Sequence, residues 1–269
     1  MNPIFKRIVT ALSTAAVAVC ALLWVPFPVI LPVMILLVAA VHLEFSQMVA
    51  RKREILVWPG VVAGVLYLIT EFYGIIPRGQ EGAMRELPLL ELVFALALAV
   101  LFGKSKRPIE ALATTVLGFV YIPCFLKFFI RIPQEFGMEF LLYVIAIVKL
   151  SDMGGFAIGV LTKKLRGDTH RMCPSISPNK SWEGMAGSLV GSVGMSLAFM
   201  GVTHYTVPRS IAFGVAAAIA GTLGDLVESR FKRECEVKDS ATFMPAGLGG
   251  FLDMFDSLVF APALFYSFL

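Results

Sequence analysis

Long apolar runs, broken by short polar clusters, set the pattern of this chain. Nine such runs cover about 8–25, 27–48, 55–76, 87–103, 109–130, 138–162, 185–204, 208–228 and 250–268. Each approaches the ~20 residues that a helix needs to cross a hydrocarbon core. A spanning backbone must satisfy its own hydrogen bonds, and none of these runs alternates as a membrane barrel strand does. The pattern therefore predicts an all-α, polytopic integral membrane protein with about nine transmembrane helices. Polar residues are sparse over 1–135 and concentrate over 138–269, yet no repeat or soluble segment separates the two parts. Residues 1–269 are read as a single membrane domain.

Composition agrees. Hydrophobic residues make up 58% of the chain, charged residues 16%, and the mean hydropathy is +0.81; a soluble domain carries about a quarter charged residues. Charge placement supplies the orientation. Lys6, Arg7, Arg51, Lys52, Arg53, Lys104, Lys106 and Arg107 fall on one side, with Lys163, Lys164, Arg166, Arg171, Lys180, Arg230, Lys232, Arg233 and Lys238. Arg78, Arg85, Arg131 and Arg209 fall on the other. The positive-inside rule then places the N-terminus in the cytoplasm. Lys6 and Arg7 ahead of an apolar run also suit an export signal, but eight further runs favour a retained anchor. Cys20, Cys124, Cys173 and Cys235 have no metal-ligand spacing.

Acids at the ends of apolar runs need a partner. Glu71 and Glu91 are expected to pair or snorkel at the interface, while Glu44, beside His42, is expected to face a polar cavity. Lys149 and Asp152, three apart, share a helical face, as a structural ion pair or as part of a site. The segment 163–184 ends in a predicted helix start, with Ser177 as N-cap and Pro178 at the first helical position. Free N–H groups there, with Lys180, suit phosphate oxygens. Gly184, Gly187, Gly191 and Gly194 form a small-residue stripe for close helix packing.

The most informative stretch runs from Gly224 to Ser257. Asp225 and Glu228 close one apolar run, and Asp253 and Asp256 open the next. Both ends are expected at the cytoplasmic boundary, so the two pairs are expected to converge. Oxygen-only ligands favour a hard cation, Mg²⁺ above all where phosphate shares it. The loop expected between the pairs carries Ser229, Lys232, Arg233, Lys238 and Asp239, cations that suit a polyphosphate. Pro245 to Gly250 would let backbone N–H groups approach a phosphate. No GxxxxGK[ST] loop or strand-linked GxGxxG is present. Anionic lipid headgroups alone would explain the cations but not the flanking acids.

Ser229, Lys232, Arg233, Lys238, Asp239, Pro245, Gly249, Gly250, Asp253 and Asp256, with ISPNKSWEG upstream, resemble the integral-membrane phosphatidate cytidylyltransferases, or CDP-diacylglycerol synthases. The similarity is strongest over 149–257. Two positions depart from that family's signature: Leu248 stands where it has histidine, and Met254 where it has arginine. The resemblance implies attack by the phosphate of phosphatidate on the α-phosphorus of CTP, releasing pyrophosphate. It implies Asp225, Asp253 and Asp256 as ligands of Mg²⁺ and leaves room for a second cation. Lys232, Arg233, Lys238 and Asp239 would act in catalysis. Ser177, Lys180, Ser181, Ser229, Gly249 and Gly250 would contact substrate, with Asp152, Glu183 and Glu228 as further members. The partners implied are CTP and phosphatidate in the bilayer, at the cytoplasmic face of an inner membrane. A homodimer is compatible with the small-residue helices, and nucleic acid is not expected. A CTP-dependent polyprenol or phytol kinase, an ion-coupled transporter and an inactive scaffold stay open as alternatives.

Overall fold

A computed structural model describes residues 25–73, 105–240 and 250–268, with isolated positions between 93 and 103. The expected first span, Glu91, most of the fourth span and residues 241–249 lie outside the described residues. The described elements run α1 (Phe27–Val49), α2 (Val57–Tyr73), α3 (Pro108–Phe119), α4 (Phe128–Glu135) and α5 (Met138–Arg166). A hairpin of β1 (Arg171–Cys173) and β2 (Ser177–Ser181) follows. Then come α6 (Trp182–Ala198), α7 (Met200–Thr203), α8 (Val207–Glu234), α9 (Phe251–Phe255) and α10 (Ala261–Phe268). This is an all-α membrane architecture. Five helical stretches, Pro28–Val49, Pro108–Glu135, Met138–Arg166, Val207–Glu234 and Phe251–Phe268, are long and apolar enough to span, and Val57–Phe72 is a shorter apolar helix.

Two of these stretches are interrupted, each at a readable place. Pro123 lacks an N–H for the helical ladder, and Val120–Cys124 opens into a π-helical turn around it. Between α9 and α10 the chain tightens into a 3₁₀ turn at Asp256–Leu258. Elsewhere helices run longer than their apolar runs suggest. α5 continues to Arg166 and stops at Gly167, whose φ of 82° is left-handed and whose N–H donates to the Lys163 carbonyl at 2.9 Å. α8 continues to Glu234, so Ser229, Lys232 and Arg233 lie on a helix and not in a loop.

The helix start expected at Ser177 is one strand too early. Residues 177–181 are extended and pair antiparallel with 171–173. The cap is Ser181, whose Oγ accepts from the Gly184 N–H at 3.1 Å as α6 begins at Trp182.

In a bilayer, helix association depends on close packing rather than on expulsion of water. Gly184, Gly187 and Gly191 of the α6 stripe supply it, whereas a Cβ on Gly194 would meet nothing within 4 Å among the described residues. Gly187 faces Gly154 of α5, and a Cβ placed there would lie 2.7 Å from Ile158 and nearer still to the Gly154 carbonyl. Gly191 meets Leu150 in the same way. On α8, a Cβ at Gly214 would come within 2.6 Å of the Val193 backbone. The core beyond this trio is aromatic. Phe45 and Tyr121 set their edges against Phe231 at 5.6 and 5.3 Å, joining α1 and the π turn to α8; each such pair is worth about 0.5–1.5 kcal/mol. Glu71 pairs as expected, between Lys127 at 3.3 Å and Arg131 at 2.5 Å.

Candidate active site

One face of α5 carries Asp152, Gly155, Phe156, Gly159, Val160 and Lys163, the i, i+3, i+4 repeat of a helical stripe. This stripe forms a wall of a cavity of about 610 Å³. The hairpin closes a second side with Arg171, Met172, Ser177, Pro178, Asn179 and Lys180. Ser181, Gly184, Met185 and Ser188 line it from the start of α6, and Thr222 and Asp225 from α8. Gly155 lies against Ser188 and Gly184, so the α5–α6 glycine contact also forms part of the cavity floor.

Two contacts fasten the hairpin to its neighbours. Glu183 accepts from both the His170 backbone N–H (3.2 Å) and the His170 ring (2.6 Å). The hydrogen bond from His170 holds the Glu183 carboxyl at about 2, so it is ionised throughout the physiological range. At the hairpin tip, Arg233 Nε donates to the Ile176 carbonyl at 3.4 Å. Glu183 and Arg233 thus shape the cavity wall from outside it. Lys180 crosses from β2 to α8, where its Nζ lies 2.5 Å from Asp225 Oδ2.

The two acid pairs of the Gly224–Ser257 stretch converge, Asp225 with Asp256 and Glu228 with Asp253 through Lys232. They do so as two groups, which touch where Glu228 comes within electrostatic reach of Asp256. Asp225 and Asp256, with Asp152 of α5, lie within one another's electrostatic reach. Lys149 and Ser257 join this group: Lys149 Nζ is 3.6 Å from Asp152 Oδ2 and 3.1 Å from Ser257 Oγ, which donates to Asp152 at 2.9 Å. The second group centres on Lys232, 2.5 Å from Glu228 Oε2 and 2.9 Å from Asp253 Oδ1. The Glu228 contact is an ion pair without hydrogen-bond alignment, and its carboxyl is 1% exposed. Asp253 Oδ2 accepts from the Gly250 N–H at 2.7 Å and the Ser240 N–H at 3.3 Å, capping the start of α9.

The division has a local cause. Residues three apart on an α-helix are about 60° apart around its axis, and the chain tightens into a 3₁₀ turn at Asp256. A close approach adds to this: a Cβ on Gly224 would collide with the Asp256 carbonyl, so only glycine lets α8 press against that turn and bring Asp225 beside Asp256. Glu44 holds the start of α9. It is fully buried, and its Oε2 accepts from the Leu252 N–H at 3.0 Å across 208 residues of sequence. It does not line the cavity. Glu44→Leu is expected to lower kcat about tenfold or more by freeing the first turn of α9. Glu44→Gln, which keeps a carbonyl acceptor, should retain most activity; steady-state kinetics in which both variants match the parent would remove this role.

Ser177, Lys180, Ser181 and Asp225, together with Asp152, are brought to the cavity. Ser229 is half-buried on α8 and is not among the lining residues, and Lys238 and Asp239 are exposed beyond its end. Gly250 starts α9, while Gly249 lies outside the described residues. Sequence reasoning missed Lys163 and Arg171, which line the cavity, and Ser257, which links Lys149 to Asp152. Helical phase from Asp152 places Lys163 on the same stripe; no sequence signal marked Arg171.

The donor chemistry at Asp152, Asp225 and Asp256 suits a hard cation: oxygen ligands, mutual repulsion and lysines as present counter-charges. Among the described residues, no three His, Cys, Asp or Glu side chains already close on one point. An ion would have to take over Asp225 from Lys180. Asp253 fits less well, because both of its oxygens are engaged by protein donors.

Comparison with known proteins follows the same lines. A profile of the cytidylyltransferase family matches residues 5–269. The phosphatidate cytidylyltransferase of Bacillus subtilis (strain 168) is 28% identical over 232 residues, covering 84% of this chain and 83% of that protein. That of Staphylococcus aureus (strain COL) is 33% identical over 208 residues, 75% of each chain. That of Mycobacterium bovis is 30% identical over 272 residues, covering 94% and 83%. With its cavity, its paired carboxylates and lysines and this match along nearly its whole length, the chain belongs to the cytidylyltransferase family.

Proposed function

We propose that this chain is a CTP:phosphatidate cytidylyltransferase that makes CDP-diacylglycerol and pyrophosphate for phospholipid synthesis. The family match over residues 5–269 carries the reading. The relatives do not favour the lipid-kinase or transporter alternatives. In the proposed reaction an oxygen of the lipid phosphate attacks the α-phosphorus of CTP. The bond from that phosphorus to the bridging oxygen breaks, and pyrophosphate leaves with the electron pair. The attacking phosphate is already ionised near neutral pH, so no strong protein base is required. Catalysis then rests on positioning and charge neutralisation.

The acids at Asp225 and Asp256 would hold Mg²⁺, with Asp152 beside them. When bound, the ion would supply charge neutralisation at phosphate oxygens. Lys180, released from Asp225, would turn to a phosphate. Lys149 stays fixed on Ser257 and the Met254 carbonyl, and the Glu228–Lys232–Asp253 group holds the start of α9. Phe156 and Val160 give the α5 wall of the cavity an apolar stretch, and the neighbouring Met153 is exposed. This surface suits acyl chains that remain in lipid while the headgroup enters. Nine spans with a cytoplasmic N-terminus would put the cavity at the cytoplasmic face, the side that supplies CTP, and the glycine-rich helices are compatible with a homodimer.

Product analysis tests the reading. Detergent-purified protein given CTP, phosphatidate and Mg²⁺ should yield CDP-diacylglycerol and pyrophosphate in equal amounts. Release of CDP with a phosphorylated lipid would replace it with the kinase reading.

A further inference from the structure

We propose that Lys163 and Arg171 form the pyrophosphate subsite of this cavity, holding the β- and γ-phosphates of the nucleotide and then the leaving group. The inference rests on the nucleotidyl-transfer reading above and assigns a part of the site that the sequence motifs did not reach.

Three observations carry it. First, both side chains line the cavity, Lys163 from the last turns of α5 and Arg171 from β1. Second, neither has an ion-pair or side-chain hydrogen-bond partner among the described residues. The other cations near the site are all engaged: Lys180 by Asp225, Lys149 by Asp152, Lys232 by Glu228 and Asp253, and Arg233 by the Ile176 carbonyl. Third, the charges are ordered along the cavity. Asp152 and Lys163 are eleven positions apart on one helix, about 16 Å at 1.5 Å per residue, with Gly155, Phe156, Gly159 and Val160 between them. Asp152 therefore stands at one end of the α5 wall and Lys163 toward the other, while Arg171 lines the cavity from β1 and Asp168 is the one acid of the α5–β1 connection that lines it.

Two unpaired cations against that single acid suit an elongated anion whose reacting phosphorus lies toward Asp152 and Asp225 and whose terminal phosphates reach Lys163 and Arg171. Arginine can grip two phosphate oxygens at once, and lysine adds a point charge. Cations at the rim also stabilise the charge that gathers on the bridging oxygen as its bond to the α-phosphorus breaks. Product would leave from that same rim, without passing the lipid.

The test compares Lys163→Gln/Arg171→Gln with Lys164→Gln/Arg166→Gln, a pair from the same exposed helix end that does not line the cavity. The first pair should raise the KM for CTP and the inhibition constant for pyrophosphate, each by about tenfold per residue, with the KM for phosphatidate within about twofold. The second pair should leave all three unchanged. Lys163→Arg/Arg171→Lys should restore most of the loss. A rise in the KM for phosphatidate alone would overturn the assignment by making the rim a headgroup site. Unchanged constants would overturn it by leaving Lys163 as a helix-end cation in solvent. Direct binding of labelled pyrophosphate to the same proteins separates this inference from the reaction itself. Parent protein that binds pyrophosphate but makes no CDP-diacylglycerol would count against the proposed function alone. Equal binding by the parent and the first variant would count against the rim.

Discussion

Asp225→Asn and Asp256→Asn are each expected to cut turnover at least about a hundredfold, in protein that still elutes as folded in detergent. The cause is electrostatic. Asp152, Asp225 and Asp256 hold like charges in a partly dry site, and Lys149 and Lys180 only partly offset them. A divalent cation would complete that balance, and a neutral amide removes both the charge and the best oxygen ligand. Asparagine keeps the size of the acid and can still hydrogen-bond, so the loss should fall on turnover more than on stability. Initial rates across a Mg²⁺ titration would decide the point. A variant with parental rate and parental Mg²⁺ dependence would take that residue out of the metal site. Lys180→Met serves as the companion: it frees Asp225 without removing it, so it should weaken substrate use while preserving the response to Mg²⁺.

Lys232→Met is expected to fail differently, through stability. Its amino group is the shared counter-ion of Glu228, which is 1% exposed, and of Asp253. Removing one partner from a buried ion pair leaves an uncompensated charge and costs about 3–5 kcal/mol. The melting temperature in detergent should fall steeply, and activity should fall with it. Adding Glu228→Leu removes the stranded charge and should recover much of the lost stability. A phosphate-holding lysine, the role that the sequence motif implies, would behave in the opposite way. Lys232→Met would then melt like the parent with a collapsed kcat, and Glu228→Leu would rescue nothing.

These two outcomes separate residues that the sequence treats alike. Lys180 and Lys232 both sit among acids in the motif region, yet one lines the cavity and the other is half-buried behind it. Asp253 and Asp256 are both helix-start acids, three residues apart. One caps α9 and meets Lys232, and the other turns toward Asp225. The expected helix start at Ser177 failed for a related reason. Ser-Pro is a good cap signal locally, but strand pairing with 171–173 kept the chain extended to Ser181, where a second good cap was available.

Much of the protein was legible without coordinates. Apolar runs of spanning length, the basic bias of alternate loops and the order of motif residues determined an all-α membrane class and a cytidylyltransferase resemblance, because these properties are local and periodic. The glycine stripe of α6 was likewise readable as a packing face, since small residues at helical spacing permit close approach whatever the partner is. The tertiary structure alone decided which charges meet. Glu44 reaches Leu252 across 208 residues, Gly224 admits the Asp256 carbonyl, and Arg171 arrives at the cavity on a hairpin that no apolar pattern announces. A charge in a membrane protein takes the partner that helix packing places within a few ångströms, and sequence spacing within a single helix does not set that distance.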